Sequence, residues 1–324
     1  MKKTVLALFL SLVLSLVIIF RPLSAGAVET IADEAVLIDA ETRTVLMDKN
    51  SQVQMPTSSM SKVMTMYVIF KALEDGRMKM EDQCTVSEKA WRKGGSKMFV
   101  EVGKKVKVED LIQGVIVQSG NDATIVLAEC LAGSEKNFAE IMNEQAEVLG
   151  MTNSNFVNAS GWPHPDHYST AYDLAILAYN MVNDFPDFYH FYSKPSFTYN
   201  GISQSNRNPL LRMNIGADGI KTGHTEAAGY GLMGSAVQEG RRLIMVINGL
   251  NSKKERAEEA ARLMRWGFRN FKVQKLFDRG EVVDVAPVWM GEAKSVPLVT
   301  NAQISALYNV RDIDSLKVSV TYDA

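Results

Sequence analysis

Apolar and polar positions follow two periods along the chain. Residues 35–48, "AVLIDAETRTVLMD", set two short apolar runs around the polar turn "DAET" and predict two strands. From Ser59 to Leu73 the composition is that of a buried helix, with Ser58 or Ser59 as its cap and Pro56 just before it. "VKVEDLIQGVIV" (106–117) predicts a helix broken by "QSGND". Two more helices are predicted over about 121–132 and 135–149, and another over "TAYDLAILAYNMV". "GYGLMGSAVQEGRRLIMVINGL" reads as a β-hairpin turning at "QEGR", and residues 253–271 as an amphipathic helix. Between these lie two polar stretches: 152–169, rich in Asn, Ser and Pro, and the loop running down to "GADGIKTGHTEAAGYG".

Beyond about residue 275 the helical period disappears. "LFDRGEVVDVAPVWMGEAKSVPLV" and "SLKVSVTYDA" alternate and predict a small β domain. The last run alternates Leu316, Val318, Val320 and Tyr322 up to the final residues, so this domain is expected to be incomplete. The amino end differs again: "MKK", an apolar run and Ala25-Gly26-Ala27 form the pattern of a signal peptide, with an uncleaved membrane anchor as the alternative. Three units are therefore expected: 1–27 signal peptide, 28–274 main domain and 275–324 β-rich domain. The chain is expected to be exported.

Composition narrows the function classes. A chain of 324 residues, 46% hydrophobic and 22% charged, has ample material for a core. Removing residues 1–27 takes three of the 35 basic residues (Lys2, Lys3, Arg21) and no acid, leaving 32 against 37. That mild acidity offers no footing for nucleic acid. Cys84 and Cys130 are expected to be two buried, unpaired thiols, although export permits a disulfide. His164 and His167 in "HPDH" lack a third ligand nearby, so no metal is expected.

Candidate chemistry begins at "MPTSSMSKVMTMYVIF". Residues three apart share one helical face, so Ser59 and Lys62 should be neighbours, with Ser59 at the helix mouth where free N–H groups favour negative charge. A serine nucleophile needs a base, and a lysine is one only when neutral, which burial or a second cation promotes. Ser-x-x-Lys alone is better explained by a cap and a solvated lysine. Two further patterns change this. "VQSGNDA" holds Ser119 and Asn121 on a tight turn, and "DGIKTG" presents Lys221, Thr222 and Gly223 just before a strand. Lys221 could bind a carboxylate and depress Lys62, while Gly223 lets a ligand approach the backbone.

In that order, Ser-x-x-Lys, Ser-x-Asn and Lys-Thr-Gly resemble the signature of serine penicillin-binding proteins and β-lactamases. "PTSSMSKVMT", "GNDA", "GWPHPDHYSTAYDLAILA", "DGIKTGHTEAAGYGLMGSA" and "MRWGF" narrow the resemblance to the low-molecular-weight D-alanyl-D-alanine carboxypeptidases, over about residues 30 to 275. The resemblance implies an α+β fold: a mainly antiparallel sheet from the two hairpins, flanked by helices, with an all-helical cluster carrying the Ser-Gly-Asn turn. It implies acylation of Ser59 by the penultimate D-alanine of a peptidoglycan stem, with Lys62 as base and Ser119 relaying a proton to the leaving amine. Asn121 would position Lys62 and the substrate amide. The N–H groups of Ser59 and His224 would form an oxyanion hole, and Lys221, Thr222 and Arg256 would read the terminal carboxylate, although Arg256 sits nearly as well as a solvated helix residue amid Lys253, Lys254 and Glu255. His164 and His167 are expected to make structural hydrogen bonds, and His190 to be a surface or packing residue.

No cofactor is implied. β-Lactams are implied as covalent inhibitors, and the lack of a glutamate in "SGWPHPDHYS" argues against efficient lactamase activity. A periplasmic or extracytoplasmic location follows from the resemblance. Relatives often carry a C-terminal amphipathic membrane helix that is not seen before Ala324. A DD-endopeptidase with the same residues and a catalytically idle penicillin-binding scaffold are the alternatives.

Overall fold

The computed structural model describes residues 28–289, 293–311 and 319. The signal segment 1–27 lies outside these residues, as do Leu316, Val318, Val320 and Tyr322 of the terminal alternation. Two compact units divide the chain, the first running to Arg269 and the second beginning at Asn270.

The first unit is built in chain order from β1 (Glu34–Asp39), β2 (Val45–Lys49), α1 (Lys62–Glu74), β3 (Gln83–Thr85), α2 (Glu88–Arg92), β4 (Lys105–Lys107), α3 (Val108–Ile116), α4 (Asn121–Ala132), α5 (Glu135–Val148), α6 (Ala171–Asp184), α7 (Pro186–Tyr189), β5 (Ser196–Tyr199), β6 (Ile202–Ser205), β7 (Ala217–Thr225), β8 (Gly229–Gln238), β9 (Arg241–Leu250) and α8 (Lys253–Asn270). A 3-10 turn over Ser58–Ser61 leads into α1. The central sheet is antiparallel, in the order β2-β1-β9-β8-β7. It is covered on both faces, so its inner strands are almost continuously apolar rather than alternating. Ile244 and Val246 of β9 face the helical core, whereas Leu243, Met245 and Ile247 face α8 through Ala260, Leu263 and Met264. Each fully buried Val, Leu, Ile or Met side chain among these contributes about 1.5–3 kcal/mol.

Helix α1 runs through the middle of the helical core, and every residue from Lys62 to Phe70 is buried. Its start departs from expectation. Neither Ser58 nor Ser59 caps it through a side chain. Ser58 instead takes φ 47, and its hydroxyl has no partner among the described residues. Two glycines make this turn fit. A Cβ on Gly161, at φ 74, would lie 1.7 Å from the Ser58 carbonyl oxygen, and one on Gly223 would lie 2.1 Å from the Ser58 hydroxyl oxygen. Gly223 thus makes room for the protein's own turn, a role beyond the ligand approach expected of it.

Three other expectations need correction. The 106–117 helix begins only at Val108, because Lys105–Lys107 pair with β3. The Lys-Thr-Gly residues lie inside β7, not ahead of a strand, in register Lys221↔Met233, Thr222↔Leu232 and Gly223↔Gly231. Cys84 and Cys130 are joined rather than free, their Cα atoms 5.6 Å apart. Strand β3 lies against α4, a proximity that apolar patterning could not register. The bridge spans 46 residues and encloses the Ser119–Asn121 turn.

In the second unit, β10 (Phe271–Phe277) pairs antiparallel with β13 (Ile304–Asn309), and β11 (Val282–Pro287) with β12 (Ser295–Val299).

The double variant Cys84→Ser/Cys130→Ser is expected to lose about 4 kcal/mol of stability, given the loop that the bridge closes. A lowered denaturant midpoint would register this; an unchanged midpoint would refute it. Gly161→Ala should cost about 2–4 kcal/mol, since it adds both a clash and left-handed strain, and its thermal unfolding should shift accordingly.

Candidate active site

Burial sets the chemistry here. Lys62 is fully enclosed, and its Nζ lies 2.9 Å from Ser59 Oγ, 2.7 Å from Asn121 Oδ1 and 2.6 Å from the Ser160 carbonyl oxygen. Loss of hydration, with the charges of Arg207 and Lys93 nearby, lowers its pKa to about 7 against the weaker pull of Asp122 and Glu135. A neutral lysine has two N–H donors and one lone pair. With the donors spent on Asn121 and Ser160, the lone pair is left for the Ser59 hydroxyl.

Ser119 stands at the end of α3 in the left-handed region, at φ 59, a conformation that costs about 1–3 kcal/mol for a residue other than glycine. Its turn is anchored from the next residues. Asp122 accepts the Met98 and Phe99 N–H groups at 2.8 and 2.9 Å. Asn121 donates its N–H to Ser96 O at 2.8 Å and its amide to Gly94 O at 2.9 Å. Ser119 is thereby held with its hydroxyl 2.9 Å from Lys221 Nζ. Burial, with Lys62, Arg207 and Arg256 around it, holds the Lys221 amine well below the usual lysine range.

Strand β7 supplies the other wall. Lys221 and Thr222 are buried, whereas His224 is exposed and stacks on Tyr230 at 3.9 Å between ring centroids. Arg256, from the first turns of α8, is not solvated. It is 7% exposed, with one terminal nitrogen 3.5 Å from Gly223 O, its guanidinium over the Tyr230 ring, and its Nε without a partner among the described residues. Such an underused guanidinium behind the Lys-Thr-Gly strand is available to an anion.

The structure therefore gathers Ser59, Lys62, Ser119, Asn121 and Lys221 through direct contacts, with Thr222, His224 and Arg256 along or behind β7. His167 is structural: its Nδ1 accepts the Val157 N–H at 3.2 Å, leaving Nε2–H for Ser61 Oγ at 2.7 Å. Burial, then Lys62 and His164, lowers its pKa to about 4 and keeps it neutral. His164 is exposed, its Nδ1 accepting the Asp166 N–H, and His190 is exposed beside Phe191. Sequence reasoning missed Arg207, Lys93 and the Ser160 carbonyl. Arg207 lies in a polar loop without a pattern, and a backbone oxygen leaves no trace in side-chain chemistry. Lys93 precedes two glycines, the one weak hint of a close approach.

Comparison with known proteins identifies the family. Residues 22–252 match the D-alanyl-D-alanine carboxypeptidase family, and 271–324 match the penicillin-binding protein 5 C-terminal domain. The D-alanyl-D-alanine carboxypeptidase DacD of Escherichia coli is 40% identical over 93% of this chain and 80% of its own length. Penicillin-binding protein 5 of Haemophilus influenzae superposes with a TM-score of 0.82 at 37% identity, covering 89% of this chain and 85% of that one. Penicillin-binding protein D2 of Listeria monocytogenes, solved in its ampicillin-bound form, does so with a TM-score of 0.68 at 29% identity, over 74% and 98%. The fold, the order of the three motifs and their convergence on one buried amine lead to the same place: this chain belongs to the D-alanyl-D-alanine carboxypeptidase family.

Proposed function

We propose that the protein is an exported serine D-Ala-D-Ala carboxypeptidase that removes the terminal D-alanine from peptidoglycan stem peptides. The observation that carries this reading is the enclosed Lys62 amine, with its pKa near 7, 2.9 Å from Ser59 Oγ. Ser59 Oγ attacks the carbonyl carbon of the penultimate D-alanine, and its proton passes to Lys62 Nζ. The backbone N–H groups of Ser59 and His224 receive the oxyanion; in related acyl-transfer chemistry one such donor is worth about 3–4 kcal/mol.

Collapse breaks the C–N bond. The departing amine takes a proton through Ser119, whose hydroxyl is held by Lys221. Water then hydrolyses the Ser59 ester. Lys221, Thr222 and Arg256 recognise the terminal carboxylate: one buried amine, one hydroxyl and one guanidinium with spare donors suit a single carboxylate at the chain end. The strained amide of a penicillin fits the same groups and acylates Ser59. The segment 1–27 directs export, with action on the outer side of the cytoplasmic membrane. No helix among the described residues is long and apolar enough to cross a membrane.

Labelling with a fluorescent penicillin should be strong in wild type and absent in Ser59→Ala; equal labelling of the two would refute the acyl-enzyme. Because Lys62 must be neutral to accept the proton, the acylation rate should fall as pH drops through about 7 and level off above it. A rate indifferent to pH across that interval would exclude Lys62 as base. In release of D-alanine from a pentapeptide, Arg256→Ala should reduce kcat/KM about tenfold to a hundredfold, whereas a substrate amidated at its C-terminus should lose little further.

A further inference from the structure

Two separate segments hold the Lys62 amine, and they meet at a contact that the reaction scheme leaves unused. The first segment, 93–96, lies against Asn121 through Gly94 O and Ser96 O. The second carries Ser160, and Asn158 braces it by accepting the Ser160 and Trp162 N–H groups at 3.1 and 2.9 Å. Asn121 Oδ1 and Ser160 O are the two acceptors of Lys62.

Across the cleft mouth, Lys93 Nζ sits 4.1 Å from the Trp162 ring centroid. The same ring packs on the Gly-Gly pair. A Cβ on Gly95, at φ 76, would lie 3.2 Å from the indole and 2.8 Å from Asn121 Nδ2. Trp162 remains 41% exposed, so burial alone does not explain its place. A cation on an indole face accounts for it.

The geometry points to Lys93 as a positioning residue for proton transfer from Ser59, acting on Lys62 through the Trp162 clamp and through its own held charge. The inference rests on the acyl-enzyme reading above. Charged or titratable groups face Lys62 from every packed element: Lys93 from the 93–96 segment, Arg207 from the loop before β7, Lys221 from β7, Asp122 from α4, Glu135 from α5 and the neutral His167 from the 152–169 loop. Asp122 is occupied by backbone N–H groups and Glu135 by Lys89 at 2.7 Å. Lys93 is thus one of two cations at the mouth that disfavour a proton on Lys62, and the ring is what keeps it from swinging into water.

The test is the rate constant for acylation of the full chain by a fluorescent penicillin, measured from acid to alkaline pH. Lys93→Met should move the acid limb to higher pH by roughly half a unit or more, the effect of one removed charge at close range. Lys93→Gln repeats the charge loss should the methionine variant fold poorly. Lys93→Arg, which keeps charge and stacking, should restore the wild-type limb. Trp162→Leu should shift the limb in the same direction as Lys93→Met, although the lysine is retained, because the freed ammonium is then solvated. A merely structural role would lower the rate without moving the limb. An unmoved limb in Lys93→Met, an equal shift in Lys93→Arg or an unmoved limb in Trp162→Leu each overturns the inference. Wild type labelled no better than Ser59→Ala would instead overturn the acyl-enzyme reading itself.

Discussion

The enclosed amine of Lys62 is the constraint from which most of the first unit's architecture follows. An uncharged lysine can survive at the centre of a helical core only if its donors are matched and water is kept away. The two acceptors come from α4 and the 152–169 loop, elements far apart in sequence that must be brought to one point. From Lys62 to Phe70 the helix that carries the amine is buried on all sides, and the hydroxyls of Thr65 and Tyr67 within that stretch are hydrogen-bonded inside the protein.

Charge is arranged to the same end. Lys62, Lys221, Arg207, Arg256 and Lys93 converge, and the acids near them are already committed, Asp122 to backbone N–H groups and Glu135 to Lys89. The surplus of positive charge does two things together. It disfavours protonation of the Lys62 and Lys221 amines, and it leaves an attractive place for a carboxylate. In the proposed reaction, general-base chemistry and recognition of a chain end thereby share one electrostatic cause.

Much of this was legible in the residues. The Ser59–Lys62 spacing, the Ser119–Asn121 turn and the β8–β9 hairpin follow from local periodicity and turn chemistry, which act over a few residues. What escaped was non-local. Strand β7 looked like a loop because an edge strand lined with a lysine, a threonine and two glycines lacks apolar alternation, yet it pairs with β8 without interruption from Gly219 to Thr225. The cysteine pair looked like two core thiols because the apposition of β3 and α4 depends on tertiary packing. Arg256 looked solvated beside Lys253, Lys254 and Glu255; only the approach of α8 to Gly223 and Tyr230 encloses it.

The Ser58 turn is pressed from two directions by glycines of unrelated segments, Gly161 and Gly223. Neither can acquire a side chain to relieve the other, because each guards a different atom of the same residue. A side chain at either glycine meets the Ser58 turn directly, so neither position can change while that turn keeps its shape. The backbone next to Ser59 is therefore fixed by two segments far apart in sequence, and its shape is inherited from both at once.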